Sequence, residues 1–236
     1  MVKKRHATRK YLSRGLGIVY EDRDILVVDK PAGLLTVGTE TNKFKTADSI
    51  LTHYVRKGSL KSRNRIFVVH RLDQWTSGVL VFAKSEEGMS FLKAQWKDTE
   101  KKYVAVVHGH LDQKEGIISS YLAEGKAHAV YSTTDATKGK LAHTAYKVLK
   151  ETKRFSLLEI HLLTGRKNQI RVHMADEGHP IVGDRKYGKI RDGYERLALH
   201  SKSISFKHPT SGEQMTFGTK VPYYFNKLID NIQDSL

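Results

Sequence analysis

The chain of 236 residues contains no cysteine. Disulfides, thiol nucleophiles, cysteine-bound zinc and iron–sulfur clusters are therefore excluded. A cysteine-free chain suits a reducing compartment, and a cytoplasmic location is the expectation. No apolar run reaches roughly 18 residues, so no membrane span is expected. The N-terminus is positively charged but has no apolar stretch behind it, so it does not read as a secretory signal. Acidic residues are scarce: 25 Asp and Glu face 41 Lys and Arg, a formal charge of +16. Such an excess draws polyanions and speeds their association, although a basic chain can also simply be soluble. Distribution separates the two readings. Lys3, Lys4, Arg5, Arg9, Lys10 and Arg14 precede the first carboxylate, Glu21, and a second acid-free cluster holds Arg56, Lys57, Lys61, Arg63 and Arg65. Clustering of one sign looks more like the footprint of a polyanion partner than a solubilising surface, and Arg63 and Arg65 are candidate contacts to it.

Several motifs are missing as well. There is no internal repeat, no GxxxxGK[ST] phosphate loop and no HExxH. Gly15 and Gly17 precede a strand instead of following one and lack a third glycine, which excludes a dinucleotide fingerprint. The 12 histidines include His173 and His179, six apart, a spacing that matches no metal motif, so no metal is expected. His70-Arg71 resembles the start of a kinase catalytic loop, but the kinase aspartate directly follows its arginine and no DFG-type ligand is found.

What is present reads as an α+β domain with a largely antiparallel sheet. Residues 1–19 read as a basic arm; a transit peptide is the other reading of such a start. The folded domain, 20–236, opens with the β-rich run Ile25-Leu26-Val27-Val28-Asp29, closed by Pro31-Ala32-Gly33. Ala47, Ile50, Leu51, Tyr54 and Val55 recur at helical spacing between the cap Thr46 and the stop Gly58. Strands at 66–69 and 79–83 bracket a polar segment, His70 to Gly78. Ser85 opens a helix carrying Met89, Leu92 and Trp96. A strand runs through 103–107, a hairpin through 142–150 and 155–163, and a helix from Asn168 to Glu177, stopped by Gly178 and Pro180. Strands near 197–206 and 214–220 follow, then a short helix with Phe225, Leu228 and Ile229.

Two segments could carry chemistry. In 70–78 a polar loop between apolar strands presents Asp73 and Arg71; the plain alternative is a turn in which Asp73 caps Ser77 or a nearby amide. In 164–173 a strand ends, glycine turns the chain and a basic helix begins. Its first amides, with Arg166 and Lys167, suit an RNA phosphate. Arg171, one turn into that helix, could pair with a buried carboxylate, although an exposed helical arginine is the plainer reading.

At these residues the chain resembles the RluA-type family of pseudouridine synthases. The ordered matches are Val27 to Gly33; His70-Arg71-Leu72-Asp73 with Thr76-Ser77-Gly78 and Ala83-Lys84; and Lys102-Tyr103-Val104-Ala105 with Gly109. They continue with Thr164-Gly165-Arg166, Gln169 to His173, Pro180-Ile181-Val182-Gly183-Asp184 and Tyr187-Gly188, then Phe206-Lys207-His208-Pro209 and Gly212-Glu213. Asn168 departs from the family, which usually has histidine there; the change bears on RNA or helix-start contacts. The resemblance implies a pseudouridine synthase fold, a mixed and mostly antiparallel sheet in two halves flanked by helices with a central active-site cleft. A second departure is expected: the chain lacks room for the separate N-terminal S4-like domain that many relatives carry. The resemblance also implies that Asp73 is the catalytic carboxylate. Tyr103 would stack on the uracil, Arg171 would be the counter-ion of Asp73, and Arg71 would fill the gap left by a flipped uridine. Arg166, Lys167 and Asn168 would contact RNA. Structured RNA, rRNA or tRNA, is the expected partner, with no cofactor and a monomeric enzyme. The rivals are a non-catalytic RNA-binding or assembly protein on the same scaffold, which would tolerate changes at Asp73 and Tyr103, and a metal-dependent nuclease, for which the carboxylate cluster is missing.

Overall fold

The computed structural model describes residues 10–39, 44–59, 61–125, 129–188 and 193–229. In chain order the elements are β1 (Lys10–Tyr11), β2 (Gly17–Glu21), β3 (Ile25–Lys30), α1 (Ala47–Val55), β4 (Phe67–Val68), β5 (Ser77–Ala83) and α2 (Glu86–Ala94). They continue with β6 (Glu100–His108), β7 (Glu115–Glu124), β8 (Val130–Thr133), β9 (Lys140–Glu151), β10 (Phe155–Leu162), α3 (Gln169–Asp176), β11 (Leu199–Lys207) and β12 (Gln214–Gly218). The short helix expected around Phe225 is a 3-10 helix, Tyr223–Lys227. The chain forms two compact units: residues 1–99 with 201–220, and residues 100–200 with 221–236.

In the first unit β2, β3 and β5 pair antiparallel in that order, with β1 on β2, β4 on β5 and β12 on β11. β3 and β5 are buried along nearly their whole length, which is why they read as continuous apolar runs and not as alternating ones. Their side chains Ile25, Val27, Val79 and Val81 form a core with Leu92 of α2 and with Ile204 and Phe206 of β11. Both helix starts come from local chemistry. The Thr46 hydroxyl accepts from the Ser49 amide in a reciprocal capping box, and the Ser85 hydroxyl accepts from the Gly88 amide at 3.0 Å. Gly78, at φ +112°, is a position only glycine can hold: a Cβ there would lie 2.1 Å from the Ser201 carbonyl oxygen.

Composition places residues 10–19 in an arm, but the structure places Lys10–Tyr11 and the residues from Gly17 on in strands of the sheet, joined by a 3-10 turn at Ser13–Gly15. β1 pairs with β2, β2 with β3, and Leu16 between them is fully buried. Backbone pairing has no use for side-chain charge, so a basic segment can still form a strand. Residues 1–9 of the expected arm lie outside the described residues.

In the second unit the antiparallel order is β6, β10, β9, β7, β8. Helix α3 packs on β7, β8 and β9, and Val172 joins Leu122, Val130 and Ala142 in a core edged by Tyr187. β7 and β8 have no counterpart among the strands read from the sequence. β7 alternates exposed with half-buried residues and leaves Ile117 62% exposed, so its apolar signal is thin. No helix among the described residues is long and apolar enough to cross a membrane.

Candidate active site

Asp73 lies in the first unit, half-buried, in the loop between β4 and β5. The loop is irregular, yet its main chain is tied down at successive residues. Leu72 is held by Thr36: the Thr36 hydroxyl donates to the Leu72 carbonyl at 2.9 Å and accepts from the Leu72 amide at 3.2 Å. The Gln74 carbonyl accepts from the Gly33 amide at 2.8 Å, and the Gln74 side-chain amide donates to the Gly33 carbonyl at 3.2 Å. The Thr76 amide donates to the Asp73 carbonyl at 3.1 Å, closing a turn. His70 accepts the Val81 amide at 3.0 Å through Nε2 and stacks on Trp96 with ring centroids 4.4 Å apart.

Lys30, the last residue of β3, is fully buried beneath this loop. Its Nζ donates to the carbonyls of Pro31, Leu34 and Gln74 at 3.1, 2.7 and 3.1 Å. Three acceptors match the three N–H bonds of an ammonium. Burial pushes its pKa down to about 7, and the Asp73 carboxylate pulls the other way. In the sequence Lys30 stands inside the matched run Val27 to Gly33 with no role of its own. A lysine ending a buried apolar strand is the only local sign, and it does not say that the amine turns inward.

The second unit holds Tyr103 and Arg171. Tyr103 is buried on β6, opposite Ile160 of β10. Arg171, on α3, is buried, which sets aside the exposed-arginine reading. It grips Asp184 with two parallel bonds, Nε to Oδ2 at 2.7 Å and Nη2 to Oδ1 at 2.8 Å, and its guanidinium lies 5.0 Å from the Tyr187 ring centroid. Asp184 Oδ1 also accepts the amides of Lys186 and Tyr187, at 2.9 and 3.1 Å. Asp184, unassigned by sequence reasoning, therefore anchors both the helix and the following turn.

The start of α3 is held by Gln169, which is buried. Its Oε1 accepts from the Thr164 hydroxyl and the Arg166 amide, and its Nε2 donates to the His143 carbonyl and the Thr144 hydroxyl, all within 2.8 to 3.0 Å. Asn168 adopts a left-handed conformation, φ 53°, and caps nothing; its Oδ1 accepts from the Tyr187 hydroxyl at 3.0 Å. The neighbouring cations are exposed but engaged: Arg166 donates to the Leu141 carbonyl at 3.1 Å and Lys167 pairs with Glu124 at 2.5 Å. In the first unit Arg71 and Arg63 are exposed, and Arg65 pairs with Glu86 at 2.5 Å.

The histidine candidates for a metal are bonded internally. His173 has Thr144 Oγ1 at 2.9 Å from Nδ1 and Ser120 Oγ at 3.1 Å from Nε2, and burial lowers its pKa. His179 Nδ1 lies 2.9 Å from the His108 carbonyl. A closer cluster joins Asp22, Asp24 and His208. His208 Nδ1 accepts the amides of Thr210 and Ser211, so Nε2 carries the proton and donates to Asp22 at 3.0 Å. That nitrogen has no lone pair left for a cation, and the trio is a brace.

Comparison with known proteins places this geometry. The family model for RNA pseudouridylate synthase matches residues 24–176. The chain is 36% identical over 222 residues to the uncharacterized RNA pseudouridine synthase YlyB of Bacillus subtilis, covering 92% of this chain and 73% of that one. It is 35% identical over 221 residues to ribosomal large subunit pseudouridine synthase D of Zymomonas mobilis, covering 88% and 69%. Human RNA pseudouridylate synthase domain containing 1 superposes with a TM-score of 0.69 at 29% identity, over 88% of this chain and 84% of that one. Domain containing 4 superposes with a TM-score of 0.72 at 24% identity, a likeness of fold. Fold and sequence define an RNA-modifying isomerase. The chain belongs to the RNA pseudouridylate synthase family, as the resemblance implies.

Proposed function

We propose that Asp73 is the carboxylate through which this enzyme isomerises specific uridines of structured rRNA or tRNA. Isomerisation breaks the N1–C1′ glycosidic bond, turns the uracil and joins C5 to C1′. Nothing is oxidised and no group is added, so the chemistry calls for no cofactor. It does call for a group that attacks C1′ or stabilises a cationic sugar, and a carboxylate does either. The observation that supports Asp73 is the loop itself: the main chain on either side is pinned by Thr36, Gly33 and Lys30 while the acid stays half-buried. Rigid presentation of a reactive side chain is what positioning requires.

In the same proposal Tyr103 stacks on the uracil, Arg171 binds substrate from the position Asp184 gives it, and Arg71 occupies the space the flipped uridine leaves. Flipping costs a few kcal/mol, offset by phosphate contacts. The relative named for the ribosomal large subunit favours rRNA over tRNA as the first RNA to test. A cytoplasmic, monomeric enzyme completes the reading; fractionation and sedimentation check those two points.

The deciding experiment follows tritium release from C5-tritiated uridine RNA taken from cells lacking the gene. Asp73→Ala should release none while still binding RNA. Continued release by that variant would overturn the assignment. Mapping pseudouridines with and without the gene then names the RNA and the position.

A further inference from the structure

The two acid-free clusters of the sequence, around Lys10 and around Lys57, meet at one pocket of the first unit. Its volume is about 580 Å³ and its walls include Lys10, Arg23, Tyr54, Lys57, Arg65 and Lys84, with Glu21 as the only carboxylate. That carboxylate is already spent. Glu21 accepts from the Tyr54 hydroxyl at 2.8 Å and from Lys84 Nζ at 2.9 Å. Arg65 is matched to Glu86. Three cations are left with no carboxylate partner among the described residues: Lys10, whose Nζ sits 4.6 Å from the Tyr54 ring centroid, Arg23 and Lys57. Lys57 stands at φ 50°, just before Gly58, in a conformation usually left to glycine or asparagine. An uncompensated positive surface of this kind costs stability through self-repulsion and is relieved by bound anions.

We propose that this pocket is a second RNA-binding site that takes backbone phosphates flanking the target uridine. The proposal rests on the reading of the protein as an enzyme acting on RNA. A single phosphate would be satisfied by one or two of these cations; three unpaired ones suit a run of successive phosphates. From Lys10 the sequence leads back into Arg9, Arg5, Lys4 and Lys3, so the positive charge along the chain does not stop at the pocket. Contacts of this type set affinity and register without reading bases.

The test compares two triple variants. Lys10→Gln/Arg23→Gln/Lys57→Gln removes the unpaired pocket cations, and Lys140→Gln/Lys147→Gln/Lys153→Gln removes three exposed lysines of the second unit. Binding is measured over a salt series on a fluorescein-labelled RNA stem–loop, with and without single-stranded flanks. The pocket variant should bind the flanked RNA about ten-fold or more weakly than wild type, with a log K against log salt slope shallower by about two. In tritium release its KM should rise while kcat holds, and Lys10→Arg/Arg23→Lys/Lys57→Arg should restore binding. Equal weakening by both triples would show that net charge alone is at work and would overturn the proposal. So would unchanged binding by the pocket variant, or wild-type binding of uridine monophosphate that the pocket variant alone loses. Wild type that releases no tritium from any RNA would instead sink the enzymatic reading, while the binding comparison would still decide the pocket.

Discussion

Around Asp73 the tertiary bonds fall largely on the main chain: the amide and carbonyl of Leu72 are taken by Thr36, and the carbonyl of Gln74 by Gly33 and Lys30. Around Arg171 they fall on side chains, through the Arg171–Asp184 fork, the Lys167–Glu124 pair and the amide of Gln169. The first arrangement fixes the backbone on either side of Asp73. The second consumes the functional groups of its own residues and fixes a helix. A loop can thus be as well placed as a helix when its peptide groups have buried partners, since each buried group left without one costs free energy.

The contrast can be broken in four places. The largest effect belongs to Asp73→Ala, which should lower product formation on the order of ten-thousand-fold, about 5 kcal/mol in activation free energy, with stability unchanged. Tritium release and urea unfolding on one preparation check both halves of that statement. Next comes Asp184→Ala. It removes the carboxylate that holds the buried guanidinium of Arg171 with two bonds, and denaturant unfolding should show a loss of about 3–5 kcal/mol. Stability equal to wild type would mean that Arg171 is held by something else.

Lys30→Met should cost about 2 kcal/mol at neutral pH, because three charge-assisted bonds are lost while the desolvation of a buried charge is relieved. Its sharper mark is the pH profile. The native pKa of Lys30, about 7, lies below its ordinary 10.5. Between those values the unfolded chain keeps a proton that the native state has released, so wild-type stability should rise with pH across that window. The slope should be at most about 1.4 kcal/mol per pH unit, and below about pH 7 the full burden of the buried ammonium remains. The Met variant should lack this slope, and superimposable profiles would sink the pinned-loop account. Smallest is Thr36→Val, which removes a hydroxyl bonded both ways to Leu72. A loss of about 1 kcal/mol, with kcat lowered several-fold at constant KM, is expected.

Much of the frame was legible because its causes are local. Thr46 and Ser85 cap α1 and α2 as their hydroxyls and following residues require, and the apolar runs of β3, β5, β6 and β10 are strands. β7 and β8 were not legible, since half-exposed strands carry little apolar period, and β2 is a short run directly behind a heavily basic stretch. Within the site, Asp73 was readable as a polar group between two apolar strands. Lys30 and Asp184 were not, because burial of a charge depends on which distant segment supplies its partners.

The sequence by itself determined that no thiol chemistry is available, that the charge is heavily positive, where α1 and α2 begin, and that the apolar runs near 25–29 and 79–83 are strands. Those follow from composition and from periods that span only a few residues. Tertiary structure alone decided that Lys30 lies under the Asp73 loop, that Arg171 has Asp184, and that two basic clusters more than forty residues apart share one pocket. Each depends on long-range packing, where the free energy of burying or leaving a charge is set by neighbours that no local pattern names.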